Sequence, residues 1–326
     1  MARFSIWVCM LGLVASTCVL GAADAAQVSV PGTRVELQPP EGFKPSGRFP
    51  GFEHAAQGAS IMVTEMPAGY AQLRAAFTRE GLASRGMQLI EAQEVMLAGT
   101  RAHLAQVSQS AGGIEFRKWM LLAPNGSESV LVVGTVPRAA PAAFGDAVRR
   151  AVLSTSLKTS GEVDSRAGLP FEVDAGSRLK VARRMGNMLL LNPGGTMTRA
   201  SPEEPLYVVG PSVGGAAIGD LQRFAEQRAR QTAEISALRG MQGRRLKVDG
   251  LEAYEIVADA SDLRSGLPLR FYQVIAPDGT GYFMFQGLVG SGSADQYLAE
   301  FRRLTESFRR REATVANEAD AAAAGR

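Results

Sequence analysis

Apolar and polar positions alternate in short runs along this chain, and the runs come in the same order twice. Val35-Glu36-Leu37 alternates as a short strand, and Pro39-Pro40-Glu41-Gly42-Phe43 turns the chain. Ala59 to Glu65 predicts a second strand, closed by Pro67-Ala68-Gly69. Leu73, Phe77 and Leu82 then predict a helix over 70–85. Strands are predicted over 93–98, 102–108 and 114–122, separated by Gly99 and by Ala111-Gly112-Gly113. Pro124-Asn125-Gly126 predicts a tight turn into a returning strand over 129–136, with Pro where a fixed φ helps and Gly where φ can be positive. Pro141 opens a helix with Phe144, Val148 and Val152 on one face.

The second pass repeats the order. Phe171-Glu172-Val173 matches the opening strand, and 188–191 and 207–209 are predicted strands around the turn Asn192-Pro193-Gly194-Gly195. A helix is predicted over 221–238, with Leu221, Phe224, Ala225 and Ala229 on one side. Strands over 246–248, 253–258, 269–275 and 282–288 follow, then a helix over 296–309 carrying Tyr297, Phe301, Leu304 and Phe308.

The residues themselves repeat as well. Ala123-Pro124-Asn125-Gly126 returns 153 positions on as Ala276-Pro277-Asp278-Gly279. The same offset maps Arg117 on Arg270, Trp119 on Tyr272, Gly134 on Gly287, Phe144 on Tyr297 and Val148 on Phe301, without a gap from Arg117 to Arg150. A repeat this long is a whole domain. The expected organisation is a first α+β domain over 28–159, a polar linker over 160–168, a second domain over 169–311 and a disordered tail over 312–326.

The first 25 residues read as an address. Arg3 precedes an almost uncharged apolar run from Phe4 to Gly21, and Ala23-Asp24-Ala25 offers small residues for a signal peptidase. An uncleaved anchor and lipid attachment at Cys18 are the alternatives, the latter behind a poor Ala15-Ser16-Thr17 lipobox. Both cysteines, Cys9 and Cys18, lie in this segment, so a mature chain has no thiol chemistry and no thiolate metal site. The net charge of +3 survives cleavage, because the segment holds one Arg and one Asp. No basic stripe interleaved with aromatics is present, and no nucleic-acid partner is expected.

Several residues resemble a known group. The "VELQPPEGF" opening, the "VMLAGTRAHL" strand–Gly–strand step and "EFRKWMLLAPNGSESVLVVGTVP" are similar to the Mog1/PsbP-like superfamily, which includes PsbP, Mog1 and envelope proteins such as DcrB. The second copy matches through "LKVDGLEAYEI", "LRFYQVIAPDGTGYFMFQGLV" and "YLAEFRRLTESF", and departs at the first turn, where nothing equivalent to Pro-Pro-Glu-Gly-Phe follows Val173. The resemblance implies two tandem domains, each an antiparallel sheet flanked by helices. It also implies a binding role, since the group shares no one chemistry and its characterised members mostly bind partners.

The chemical motifs are sparse. Gly210-Pro211-Ser212-Val213-Gly214 has the G-x-S-x-G form of a nucleophile elbow between a strand and a helix. Ser212 would need a base, yet His54 and His103, the only histidines, both lie upstream in the other copy. The competing reading is a Gly-rich connector needing permissive φ/ψ at Gly210 or Gly214. Two distant histidines make a poor zinc site, and His103 aligns with Tyr254 as a packing position. Asp259-Ala260-Ser261-Asp262 lacks the glycine and terminal Glu of a calcium loop and reads as a hairpin loop. Asn125-Gly126-Ser127 is better explained by the turn than as a glycosylation site. Arg302, Arg303, Arg309, Arg310 and Arg311 crowd the last helix, either complementing its dipole or meeting an anionic partner.

These readings lead to an exported, non-enzymatic binding or accessory protein of the bacterial cell envelope, periplasmic or secreted, with no cofactor and no metal. Its expected partner is an envelope protein or surface component, with membrane contact only if the signal is retained. The alternatives are a serine hydrolase using Ser212 and a binder of a small apolar ligand.

Overall fold

The computed structural model describes residues 26–158, 161, 163–174, 178–196, 201–212 and 218–311. The signal-peptide segment 1–25, the tail 312–326, Gly214 and part of the 160–168 linker lie outside the described residues.

The first unit opens with β1 (Val28–Ser29), β2 (Val35–Leu37), β3 (Lys44–Pro45), β4 (Gly51–His54) and β5 (Ala59–Met66). Helices α1 (Tyr70–Arg74) and α2 (Arg79–Ala83) follow. The meander β6 (Met87–Leu97), β7 (Thr100–Ala111), β8 (Ile114–Asn125) and β9 (Glu128–Pro137) leads to α3 (Ala142–Leu153) and β10 (Ser156–Leu157). The second unit comprises β11 (Phe171–Glu172), β12 (Lys180–Met185), β13 (Met188–Asn192), β14 (Leu206–Pro211) and α4 (Leu221–Arg230). Its meander is β15 (Ile235–Val248), β16 (Leu251–Asp262), β17 (Pro268–Asp278) and β18 (Gly281–Gly290), closed by α5 (Ala294–Ser307) and β19 (Arg309–Arg310).

Each unit contains one antiparallel seven-stranded sheet, ordered β3-β4-β5-β9-β8-β7-β6 and β12-β13-β14-β18-β17-β16-β15. The two orders are identical once the strands are renumbered within each unit, and no strand of one sheet pairs with the other. The short strand before each sheet pairs with the strand after the last helix, β2 with β10 and β11 with β19. The fold class is α+β, as the sequence resemblance implies.

Alternation along the central strands divides each sheet into two apolar faces. In β8, Trp119, Leu121 and Ala123 pack with Val148 and Val152 of α3, while Met120 and Leu122 pack with Phe77 and Leu82 on the α1–α2 side. The second unit repeats this, with Phe301 and Leu304 of α5 on one face and Ala225 and Ala229 of α4 on the other. Trp119 stands opposite Gly134, and Tyr272 opposite Gly287. The glycines admit the helix. A Cβ on Gly134 would lie 2.7 Å from Val148, and one on Gly287 would lie 2.3 Å from Phe301.

Three expectations are corrected. The helix over 70–85 is two short helices, because Thr78 turns extended and its hydroxyl caps Gly81 N at 3.0 Å. Phe77 and Leu82 are five residues apart, out of phase for one helical face, and the break buries both. The helix over 221–238 stops at Arg230, and Ile235 begins a long strand. Ile235, Leu238 and Met241 keep a three-residue spacing that imitates a helix. Register shifts on both sides of Arg239, with Ala237 and Gly240 at positive φ, bring all three to the α4 face. Pro124 lies in β8 opposite Ser129, not in the turn, which consists of Gly126 and Ser127. Its imide nitrogen faces β7, whose pairing with β8 stops at His103 and Leu122, so no ladder hydrogen bond is lost. Pro277 repeats this opposite Tyr282.

The β12–β13 hairpin ties the second unit to the first. Arg184 is 7% exposed, and its guanidinium donates to Pro31 O at 3.1 Å, Gly186 O and Asn187 Oδ1 at 2.6 Å, and Ala167 O. Burial lowers its pKa to about 10, so it remains a cation at neutral pH. Asn187 Nδ2 donates to Gly47 O at 3.2 Å, and Arg183 forks onto the Glu128 carboxylate. Gly32, at φ +72°, lies so close that a Cβ would sit 1.8 Å from the Arg184 guanidinium.

Candidate functional site

The five arginines at the end of the second unit do not form one patch. Arg302 and Arg244 each fork onto Glu255, with oxygen contacts of 2.8–3.3 Å. Glu255 is 2% exposed; burial pushes its pKa up, but the two guanidinium forks outweigh that and hold it below the ordinary value. Arg303 pairs with Glu300 at 3.0 Å and with Asp174 at 3.6 Å. Arg309 donates to Glu306 O and Phe308 O at the end of α5, where helix carbonyls attract a cation. Arg310 bridges Asp249 and Asp278, and Arg311 pairs with Glu172. Arg244, which joins Arg302 at Glu255, was not among the sequence candidates because it lies on the β15 edge, far away in the chain.

Ser212 follows β14, and its main-chain N donates to Tyr282 O at 2.8 Å while its Oγ accepts from Tyr282 N at 3.1 Å. That hydrogen bond extends the β14–β18 ladder. Gly210 is a strand residue without positive φ; close packing requires it there, since a Cβ would lie 2.6 Å from Met188. His54 sits between Phe43 and Phe144, with ring centroids 5.6 and 5.8 Å away. His103 is 1% exposed and stands edge-on to Phe77, at the register position that Tyr254 takes in the second unit. Burial, then the charge of Arg74, lowers the His103 pKa, and neither ring nitrogen has a hydrogen-bond partner among the described residues. Asp259-Ala260-Ser261 is strand rather than hairpin loop, paired in β16 with Arg270, Leu269 and Pro268, and Asp262 at its end caps the Leu263–Gly266 turn through Ser265 N at 2.7 Å. No group of three His, Cys, Asp or Glu side chains among the described residues could hold a metal ion.

The feature that separates the two copies lies at the foot of each sheet, where the last short strand passes two hairpin turns. Register makes Leu157 equivalent to Arg310, because Leu157 pairs with Val35 as Arg310 pairs with Phe171. Ala98 and Asp249 hold the same turn position, at φ 45° and 48°. Asn125 and Asp278 precede the same hairpin turn, and Thr155 and Phe308 follow the same helix.

In the second unit the foot is filled. Arg310 reaches Asp249 Oδ2 at 2.9 Å, Asp249 O at 3.0 Å and Asp278 Oδ1 at 3.2 Å. Phe308 is fully buried against Phe171, Phe283 and Phe285. In the first unit the smaller Thr155 and Leu157 leave a cleft of about 500 Å³. Ala102 and Ala123 form its floor, Leu97, Pro124 and Leu157 its apolar walls, and Thr100, Asn125 and Ser156 its polar edge. Arg34 and Lys158 stand at its rim. One ion pair is common to both units: Lys158 meets Glu36 at 3.2 Å, and Arg311 meets Glu172 at 3.1 Å. Arg34 has no such counterpart, since Pro170 occupies its position, accepting from Arg311 N as Arg34 O accepts from Lys158 N. The cleft was invisible in the sequence because its residues come from four separate segments. The Leu157–Arg310 and Asn125–Asp278 differences at the constant offset were the signal that could have found it.

No family model matches the chain, and no curated protein matches it. Among solved structures it is similar to the cyanobacterial PsbP (CyanoP) of Synechocystis sp. PCC 6803, at 14% identity over 45% of this chain and 100% of that one, with a TM-score of 0.31. LpqN of Mycobacterium tuberculosis, described as involved in cell envelope biogenesis, matches at 13% identity over 44% of this chain and 83% of that one, with a TM-score of 0.31. The type VI secretion immunity protein TplEi of Pseudomonas aeruginosa matches at 10% identity over 87% of this chain and 97% of that one, with a TM-score of 0.34. The fold assignment rests on the two identical strand orders.

Proposed function

We propose that this chain is an exported, non-enzymatic binding or accessory protein of the bacterial cell envelope. In this reading residues 1–25 are removed as a signal peptide, 28–159 and 169–311 are two domains joined by 160–168, and the first domain carries the binding site. One observation carries it: the foot of the first unit is an open cleft, while the chain's own Arg310 and Phe308 fill the same place in the second. A feature present in one of two copies is not needed for the fold they share. The large, partly apolar volume also falls within the range of ligand sites, about 300–1,000 Å³.

The test is site-specific photocrosslinking in intact cells. A photoreactive residue at Thr100 or Asn125 is expected to give discrete adducts that are absent when it replaces Thr280 in the second unit. The same pattern from both units would overturn the reading. So would labelling of the wild type by a fluorophosphonate probe that disappears in Ser212→Ala, which would favour the hydrolase.

A further inference from the structure

Between the two copies the foot changes its charge as well as its volume. The filled site has two carboxylates, Asp249 and Asp278, and closes on a cation from its own chain. In the open site Ala98 and Asn125 replace both carboxylates, and none of the residues lining the cleft is acidic. Lys158 is already compensated by Glu36. Arg34 is not: its Nη1 donates to Gly161 O at 3.3 Å, and it makes no ion pair with a carboxylate among the described residues. Glu65 accepts from the Arg34 main-chain N–H at 2.8 Å. The site therefore combines a buried alanine floor and leucine walls with a guanidinium at the mouth.

The geometry points to an amphipathic anion as the occupant of this cleft: one carboxylate or phosphate group on a short aliphatic body. The head would lie at Arg34, where the planar guanidinium can present two donors to two oxygens. Thr100 and Asn125 would add polar contacts at the edge. The aliphatic body would lie over the alanine floor and cover the half-buried Leu97, Pro124 and Leu157, removing their apolar surface from water. This inference rests on the cleft being the binding site and adds the chemical class of what it takes.

The test is calorimetric titration of the purified full-length chain at low salt with decanoate, decyl phosphate, decanol and decylamine. Saturable binding of one decanoate or one decyl phosphate per chain is expected, with decanol and decylamine much weaker. Comparing the two anions tells a carboxylate site from a phosphate site. Arg34→Gln should weaken the anions about tenfold, the order expected for one charge-assisted hydrogen bond, and leave decanol unchanged. A second variant transplants the filled foot: Ala98→Asp, Asn125→Asp and Leu157→Arg together should abolish binding while the circular dichroism spectrum stays native. If this triple variant does not fold, Arg34→Gln alone decides. Equal binding of all four probes, undiminished anion binding in Arg34→Gln, or no anion binding at all would each overturn the inference. Crosslinks from Thr100 without anion binding would leave the binding reading standing and remove only this assignment.

Discussion

His103 shows how a titratable residue can be purely a packing element. Its ring is 1% exposed against Phe77, and its lowered pKa follows first from burial and then from Arg74. A base with a depressed folded pKa contributes stability that is complete above its unfolded pKa and is lost as pH falls. The chain should therefore become less stable as pH drops below about 6.5. His103→Leu should remove that part of the slope and be no less stable at pH 7.5, since two buried nitrogens without protein partners are replaced by carbon. Urea midpoints at pH 7.5 and 5 check this; an unchanged slope in the variant would refute it. From the sequence, His103 could be recognised as a packing position because it aligned with Tyr254 in the other copy. Arg184 could not be, because nothing in its neighbourhood announces that three carbonyls and an amide converge on it.

At the scale of elements, the strongest local signals translated directly into structure. The two Gly-centred hairpins, the meander strands and the final helices lie where alternation and turn residues placed them, because those signals are local and the sheet faces are buried. Strands β4 and β12 escaped, as did three further kinds of element. Two-residue strands such as β3 and β10 are fixed by pairing partners distant in sequence. The bulged start of β15 carries a false helical period. The α1–α2 break depends on a side-chain cap at Thr78. The Gly134 and Gly287 positions were visible as a repeat, but their purpose became clear only with α3 and α5 in place. Gly287→Val should cost about 1–3 kcal/mol, the usual penalty for overpacking, because its Cβ would meet Phe301 at 2.3 Å. Gly219→Ala, with nothing within 4 Å, should stay within about 0.5 kcal/mol. Equal urea midpoints for the two variants would show that α5 can move away without penalty.

At the scale of the molecule, a sequence-level linker is accompanied by a specific contact. The Arg184 hub joins Pro31 of the first unit, Ala167 of the connector and Asn187 of the second. Arg184→Leu would leave the Pro31, Ala167 and Gly186 carbonyls without this donor, and we expect a loss of about 2–4 kcal/mol, by analogy with other hydrogen bonds to buried charges. Differential scanning calorimetry should show one transition in the wild type and two in the variant, as the units uncouple. A single transition at the wild-type temperature would mean that the units are joined by other means.

The filled foot of the second unit also bears on stoichiometry. Arg310 behaves as a ligand tethered to its own receptor. Joined to the site through the same chain, it faces its two carboxylates at an effective concentration that dissolved competitors rarely reach; even a short flexible tether supplies about millimolar. Duplicating a binding domain ordinarily doubles its valency. Here the second copy is self-saturated, so a chain with two folds should titrate as monovalent, and a multivalent partner could not crosslink such chains into a network.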